Sequence, residues 1–263
     1  MKTESAVADS SLIEIPLRHL SGVAFYAVGF GGLLMLWFVV SLVVANRTFL
    51  PSPLDTANAL IHLAASGVLV KQVLASLVRV FLGFALGAVC ALALGTLIGL
   101  FGSIEKAVEP ILELFRAIPP YAMIPFALLT FGIGAGGKLF ILAYATFFPV
   151  LVSTVSGVSN VPVRLIEASH TLGASRSFTV LRVLIPAAIP QILLGLRLGF
   201  GAAWLSLIAA EMVASSDGLG FLIADARETI DTPVVVAGMV VIGVLGYLAN
   251  QFLVALEQRV GAP

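Results

Sequence analysis

Residues 167–186, EASHTLGASRSFTVLRVLIP, form the longest polar interruption in a chain that is otherwise strongly apolar. A glutamate, a histidine and two arginines in this stretch cannot lie in lipid without partners. Only Gly173 and Pro186 oppose a helix within it. The sequence therefore predicts a largely helical, water-exposed segment at one face of a membrane.

The composition of the whole chain supports this prediction. The chain is 60% hydrophobic and 11% charged, with a mean hydropathy of +1.11, whereas a soluble domain is about one quarter charged. A formal net charge of zero gives no indication of a nucleic-acid partner. His19, His62 and His170 are far apart in sequence and lack the spacing of metal ligands. The chain is therefore predicted to be an integral membrane protein.

Six stretches are long and apolar enough to cross a bilayer. They are predicted to be helices, because an open sheet cannot satisfy its backbone hydrogen bonds in lipid. The six stretches are 21–46, 77–104, 112–131, 139–160, 187–213 and 232–256. The prediction is an all-α membrane protein with an N-terminal tail, 1–20, and a single transmembrane domain, 21–260, whose polar loop is 161–186.

The spans leave four connecting segments that carry structural signals. Pro51 and Pro53 oppose a helix, and Asp55 is placed to cap one over 57–70. A turn is expected at 102–106, and a second short helix at 219–228. Residues 132–138 nearly match a phosphate-binding loop, but Leu139 stands where that loop needs a hydroxyl. We interpret them as a glycine-rich hairpin.

Glycine spacing predicts where helices pack closely. Gly83 and Gly87, and then Gly95 and Gly99, recur every four residues in the second span. Such pairs let a neighbouring helix approach to backbone contact. We expect a tight helix–helix interface along this face.

The third span holds two adjacent prolines, Pro119 and Pro120, which break its hydrogen-bond ladder. Broken helices occur at membrane depth where they line a cavity or are buried in protein. This segment is therefore either part of a solute pathway or a simple kink. The residues assigned to a pathway are Arg116, Pro119, Pro120, Tyr121, Arg197 and Glu211.

Arg197 lies about ten residues inside the fifth span, so it needs a partner within the helix bundle. Together with Arg116, it can provide a positively charged position that an anion occupies along the pathway. Alternatively, both arginines are neutralised by Glu109, Glu113 or Glu211. Arg116 is three residues from Glu113, a spacing that allows pairing on one helix face.

The spacing within 167–186 resembles the cytoplasmic EAA loop of ABC importer permeases. That loop has Glu-Ala-Ala, three residues, Gly, nine residues and then Ile-x-Leu-Pro. Here Ser169 replaces the second alanine, Val183 the isoleucine and Ile185 the leucine, and the spacing is unchanged. Five more blocks, FLPSP, ELFRAIPP, FGIG, GLRLG and AAEM, resemble permeases for taurine, alkanesulfonates and nitrate. The similarity extends over about residues 48–260.

This resemblance implies a type I ABC importer permease fold with six transmembrane helices and a cytoplasmic coupling helix. It implies a bacterial inner-membrane protein with both termini in the cytoplasm. A modest excess of lysine and arginine on the side of the 161–186 loop agrees with that orientation. The implied cargo is a small organic or inorganic anion, moved by alternating access.

The implied partners are a second permease copy, two cytoplasmic ATPase subunits and a periplasmic or lipid-anchored substrate-binding protein. ATP and magnesium would be held by the ATPase, so this chain would bind no cofactor and would not be an enzyme. The residues implied to couple it to the ATPase are Arg164, Glu167, Ala168, Ser169, Leu172, Gly173, Ala174 and Pro186.

Three alternatives compete with this interpretation. A secondary transporter would use Arg197 and Glu211 as an intramembrane ion relay. A permease of the same fold would carry a vitamin precursor instead of an anion. An intramembrane enzyme would need a nucleophile, a metal or an acid–base cluster within the spans, and the sequence offers no such cluster.

Overall fold

The computed structural model describes residues 22–44, 46 and 48–260. The predicted tail, 1–20, lies outside the described residues. The chain divides into two units, the first ending at Leu54 and the second beginning at Asp55. The first unit contains helix α1, Gly22–Val44, whose large apolar side chains are mostly exposed. Trp37 in α1 donates its indole N–H to the carbonyl oxygen of Pro51, at 3.1 Å.

The remaining helices follow one another with short connections, and the described residues contain no strand. Their bounds are α2 Pro53–Ala65, α3 Val68–Leu100, α4 Gly102–Arg116, α5 Ile124–Phe131, α6 Ala135–Ser159, α7 Val163–Thr171, α8 Arg176–Thr179, α9 Ile185–Ala214, α10 Leu219–Glu228 and α11 Thr232–Val260. The predicted short helix at 219–228 is confirmed at both ends.

Helix α6 is the centre of the second unit, because α3 and α9 both pack against it. A Cβ atom added at Gly95 of α3 would lie 2.8 Å from the Thr154 Cβ, and one added at Gly99 would lie 2.8 Å from the Val158 Cβ. Such distances leave no room for a side chain. On a neighbouring face of α6, Gly199 of α9 packs against Val150 in the same way. The close packing predicted for the α3 glycines is therefore confirmed.

The contacts also give the relative direction of α3 and α6. Gly83 of α3 meets Leu142, whereas Gly99 of α3 meets Val158, so α3 and α6 run parallel. The chain between them must therefore cross back. Helix α4 and residues 120–131 form that return crossing, with a bend of 79° between them.

Five helices in the described part of the chain are long and apolar enough to span a membrane, and the bent pair counts as a sixth if its two helices form one span. This agrees with the six predicted spans, and the break at Pro119 and Pro120 is confirmed. The end of the second unit that carries the start of α6 and the end of α9 is called the α10 end here. The other end, where α6 ends and α9 begins, is called the α7 end.

Three connecting segments differ from prediction. One is the hairpin predicted at 132–138, whose last four residues already belong to α6. Pro53 does not exclude a helix but begins one, because the first helical position needs no backbone donor. That helix ends at Ala65, not at residue 70, since Gly67 adopts a left-handed φ of 75° and α3 begins directly after it. The turn expected at 102–106 is the first turn of helix α4. The charged residues of α4 are typical of a loop between spans, so the sequence did not indicate a helix there.

Pro186 does not end the helix that precedes it. Residues 180–184 form a π turn, in which the N–H of Ile185 bonds to the carbonyl oxygen of Val180. This wider turn changes the hydrogen-bond pattern before a proline that has no N–H to donate. Helix therefore runs unbroken from Arg176 to Val213.

Candidate coupling surface and polar clusters

The predicted coupling segment consists of α7, a tight turn and the helix that leads into α9. Gly173 closes α7 with a left-handed φ of 79°. Its N–H bonds to the carbonyl oxygen of His170 at 2.9 Å, and the N–H of Ala174 bonds to that of Ser169 at 3.0 Å. This pair of bonds is a Schellman motif, which favours glycine at that position because its φ is left-handed. Gly173 is thus the point where the chain reverses.

A buried pair of hydroxyls holds the two arms of the turn together. Ser169 Oγ lies 2.9 Å from Thr179 Oγ1 and donates to the carbonyl oxygen of Ile166 at 2.7 Å. Both residues of the pair are buried. The serine that replaces the alanine of the EAA pattern therefore joins α7 to α8, a role that the sequence pattern did not predict.

The outer surface of the segment combines charge with exposed apolar groups. Leu172 is 87% exposed, and Glu167, Ala168 and Gly173 are also exposed. A groove between α7 and α8 is lined mainly by small and apolar residues, among them Leu165, Ala168, Leu172, Ala174 and Phe178. The exposed surface of this segment is therefore partly apolar and partly charged. Arg164 lies on the same exposed helix, while Pro186 belongs to α9 and does not line the groove.

Arg116 lies at the α7 end in a pair with Glu113. Its Nη2 donates to Glu113 Oε1 at 3.0 Å, as the three-residue spacing predicts. The two residues line a cavity of about 240 Å³ between α4 and α6, together with Glu105, Glu109 and Ser156. Pro119 and Pro120 lie in the neighbouring bend, and Tyr121 is 61% exposed. The charge of this cavity is predominantly negative.

Arg197 pairs with α11. Its Nη1 lies 3.4 Å from Glu257 Oε2, and its Nε donates to Asn250 Oδ1 at 3.2 Å. The expectation that Glu109, Glu113 or Glu211 neutralises Arg197 is therefore wrong. Glu257 is 60 residues away in sequence but adjacent in space because α9 and α11 are antiparallel.

Glu211 is fully buried near the α10 end. It forms an ion pair with Arg79 of α3, accepts a hydrogen bond from Ser76 Oγ at 2.8 Å, and accepts another from the N–H of Gly220 at 3.0 Å. Gly218 packs directly against its carboxylate, so no side chain fits there. These contacts make Glu211 an anchor between α3, α9 and α10.

Arg79 extends the cluster to the loop after α9. Its Nη2 lies 2.8 Å from Asp217 Oδ1, and this hydrogen bond lowers the pKa of the Asp217 carboxyl below its ordinary value. Lys138 of α6 donates to Ser215 Oγ at 2.6 Å. We assigned no role to Arg79 from the sequence, and we placed Lys138 in a hairpin loop. The sequence signal that could have identified Arg79 and Lys138 as site residues is a basic residue next to a long apolar run.

The residues assigned to a pathway are therefore distributed over three separate clusters. Arg116 lies between α4 and α6 with the proline bend directly after it, Arg197 lies between α9 and α11, and Glu211 lies near the α10 end. Glu211 pairs with Arg79 and Arg197 with Glu257, so Glu211 and Arg197 belong to separate clusters. The coupling residues, in contrast, are contiguous, except for Pro186.

Comparison with known proteins agrees with this architecture. Residues 83–262 match the family described as the binding-protein-dependent transport system inner membrane component. The taurine transport system permease of Escherichia coli is 36% identical over 85% of this chain and 83% of its own. The nitrate import permease of a Synechocystis strain is 35% identical over 72% of this chain and 69% of its own.

A solved structure supports the fold. A chain of the inward-facing MetNI methionine ABC transporter superposes with a TM-score of 0.63 and covers 73% of this chain and 96% of its own, at 23% identity. This chain belongs to the family of binding-protein-dependent inner-membrane transport components, and it is the membrane-spanning permease of an ABC importer with the type I fold. The secondary-transporter alternative is therefore set aside.

Proposed function

We propose that this permease imports a small organic or inorganic anion and works as a homodimer with two ATPase subunits and a substrate-binding protein. The cargo class is supported by relatives named for taurine, aliphatic sulfonates and nitrate. In this proposal the α7 end faces the cytoplasm and both termini lie there. The α10 end receives solute from the binding protein.

The exposed surface of α7 is the observation that supports ATPase docking. Leu172 is 87% exposed beside the left-handed Gly173, on a segment whose charges exclude it from lipid. An apolar side chain exposed in this way gains free energy when a partner covers it. Because α8 continues into α9 without a break, movement of an attached ATPase would tilt α9 against α6. Alternating access to a pathway between two permease copies would follow from that tilt.

The docking test uses two matched substitutions of exposed apolar residues. Leu172→Asp places a charge on the proposed docking surface, whereas Ile133→Asp places one on an 86%-exposed residue at the α10 end. The permease is purified in detergent with the ATPase encoded near it, and bound ATPase is quantified. We expect Leu172→Asp to lose the ATPase and Ile133→Asp to retain it. Equal retention by both variants would refute the docking proposal.

The cargo test uses proteoliposomes that contain the permease, the ATPase and the binding protein. We expect ATP-dependent uptake of taurine, an alkanesulfonate or nitrate, and no uptake of a neutral amide of similar size. Uptake of the vitamin precursor thiazole or pyrimidine, with none of any anion, would overturn the anion proposal and favour the same-fold alternative.

A further inference from the structure

A cavity of about 360 Å³ lies at the α10 end of the second unit. It is bordered by the start of α6, by α3 and by the loop that follows α9. Its charged and hydroxyl-bearing lining residues are Arg79, Lys138, Ser215, Ser216 and Asp217. None of these residues was assigned to a pathway from the sequence.

Lys138 is the central feature of this cavity. The residue is only 7% exposed, yet no carboxylate of the described residues lies within 4.0 Å of its ammonium. Its hydrogen bond to Ser215 Oγ, at 2.6 Å, is the one bond it makes within the described part of the chain. An ammonium carries three donors, so two remain for an acceptor in the cavity. A buried cation without a paired anion is costly, which favours binding of a negative group.

The two carboxylates in the neighbourhood are already used by Arg79. Glu211 pairs with one side of its guanidinium and Asp217 with the other. The lining of the cavity therefore contains two cations, Arg79 and Lys138, and one carboxylate, Asp217. Glu211 does not line the cavity. Lys138 interacts electrostatically with both carboxylates, but neither of them forms a direct ion pair with its ammonium.

The start of α6 adds to the positive potential. Gly134 and Ala135 line the cavity, and Gly134, the residue that precedes the helix, offers no side-chain cap. The first N–H groups of a helix lack partners within the helix, and its N-terminus carries a partial positive charge. These donors come from a helix of 25 residues and border the same space as the Lys138 ammonium.

We propose that this cavity binds one small oxyanion, a sulfonate, nitrate or carboxylate group, with Lys138 as its charge partner. The hydroxyl of Ser216 and the first N–H groups of α6 would donate to the remaining oxygens, whereas the Ser215 hydroxyl already donates to the carbonyl oxygen of Asp217. The inference rests on the proposed import of anions. In it, the cavity is the first site in the permease that the cargo occupies after it leaves the binding protein.

The test measures anion binding to the purified permease–ATPase complex in nanodiscs, without the binding protein. Methanesulfonate and nitrate are titrated by calorimetry at constant ionic strength, with dimethyl sulfone as the uncharged probe. We expect saturable binding of the anions alone. Lys138→Gln is expected to weaken it by at least about tenfold, because a hydrogen bond to a charged group is lost. Lys138→Arg should keep most of the affinity.

Lys71→Gln is the matched control, since it removes an exposed lysine from the same end of α3. Absence of saturable binding in the wild type, or equal losses in Lys138→Gln and Lys71→Gln, would overturn the inference. If Lys138→Gln does not fold, Ser216→Ala is compared with Lys138→Arg instead. Ser216→Ala should weaken anion binding, and Lys138→Arg should retain it. Unchanged binding in Ser216→Ala would then count against the site.

Uptake by the complete importer separates this inference from the proposed function. If proteoliposomes import anions but the permease itself binds none, the cavity proposal fails and the cargo proposal stands. If the cavity binds anions but the importer moves none, the cargo proposal fails and the binding site stands.

Discussion

Arg79 and Glu211 lie 132 positions apart in the sequence, yet they form an ion pair between α3 and α9 in which the glutamate is fully buried. Ser76 and the N–H of Gly220 bond to the same carboxylate. The pair thus connects three helices at one end of the second unit. Loss of the pair would remove a contact that fixes α3, α9 and α10 relative to one another.

Replacing Glu211 by glutamine tests this anchor. We expect the free energy of unfolding to fall by about 3 kcal/mol, because Arg79 would keep a largely buried charge with one carboxylate partner fewer. Glu228→Gln, at an exposed position on α10, is the control and should change stability little. Both are measured by thermal or denaturant unfolding in detergent. Equal stability of the two variants would show that the buried pair is not an anchor.

Asp217 predicts a dependence on pH. Its hydrogen bond with Arg79 lowers its pKa from the ordinary value of 3.8. A depressed folded-state pKa contributes stability that is present above the unfolded pKa and is lost as the pH falls through the folded one. Asp217→Asn should therefore lower the unfolding temperature near neutral pH, and the difference from wild type should shrink below about pH 4.

The arginine supplies the control for this pH series. In an Arg79→Gln background the same Asp217→Asn substitution should leave the profile nearly unchanged, since its partner is gone. A pH-dependent difference that persists in that background would assign the effect to another group.

The glycine interface between α3 and α6 predicts a steric cost. A Cβ at Gly87 would lie 2.9 Å from both the Ala143 Cα and the Thr146 Cβ. Gly87→Ala should destabilise the permease by about 1–3 kcal/mol, the usual cost of overpacking. Gly243→Ala on α11 is the matched control, because nothing lies within 4 Å of an added Cβ there. It should be neutral or slightly stabilising, and a similar loss in both variants would contradict the close approach.

Gly173 predicts a local effect at the coupling turn. Its φ of 79° is strained for any residue with a side chain, although an added Cβ would meet no atom within 4 Å. Gly173→Val should therefore distort the turn and reduce ATP hydrolysis coupled to transport. Asparagine tolerates left-handed backbone better, so Gly173→Asn should retain more activity. If both variants lose coupling equally, close approach of the partner, and not backbone strain, explains the glycine.

Ile230 predicts a gain in stability. It follows α10 with a φ of 58° and is 67% exposed. A β-branched residue in that conformation costs about 1–2 kcal/mol. Ile230→Gly should raise the unfolding temperature, whereas Ile133→Gly, at an exposed isoleucine without positive φ, should not. A lower unfolding temperature for Ile230→Gly would contradict the assignment of strain.

The sequence predicted the features that depend on local signals. Long apolar runs located the spans, and glycine spacing located the α3–α6 contact. The spacing of the EAA-like pattern predicted a largely helical segment, and its role in coupling stays a prediction. The first turn of α4 was missed because its charges resemble a loop. The π turn before Pro186 was missed because composition does not determine which residue a backbone N–H bonds to.

Long-range pairing was the larger omission. Arg197 with Glu257, and Arg79 with Glu211, depend on which helices become neighbours, and no local pattern specifies that. The sequence did show that buried charges needed partners. The fold was required to identify them, and it separated residues that we had grouped into one pathway.

The π turn at residues 180–184 also determines an angle. One additional residue in a turn rotates the preceding helix by about 100° around the common axis. The turn therefore sets the azimuth of α8, and of the α7 surface joined to it, relative to the face of α9 that packs on α6. Deleting a single residue there would keep both ends of the helix but turn Leu172 away from its present orientation. The register of this one turn therefore determines the direction in which the exposed surface of α7 faces relative to α9.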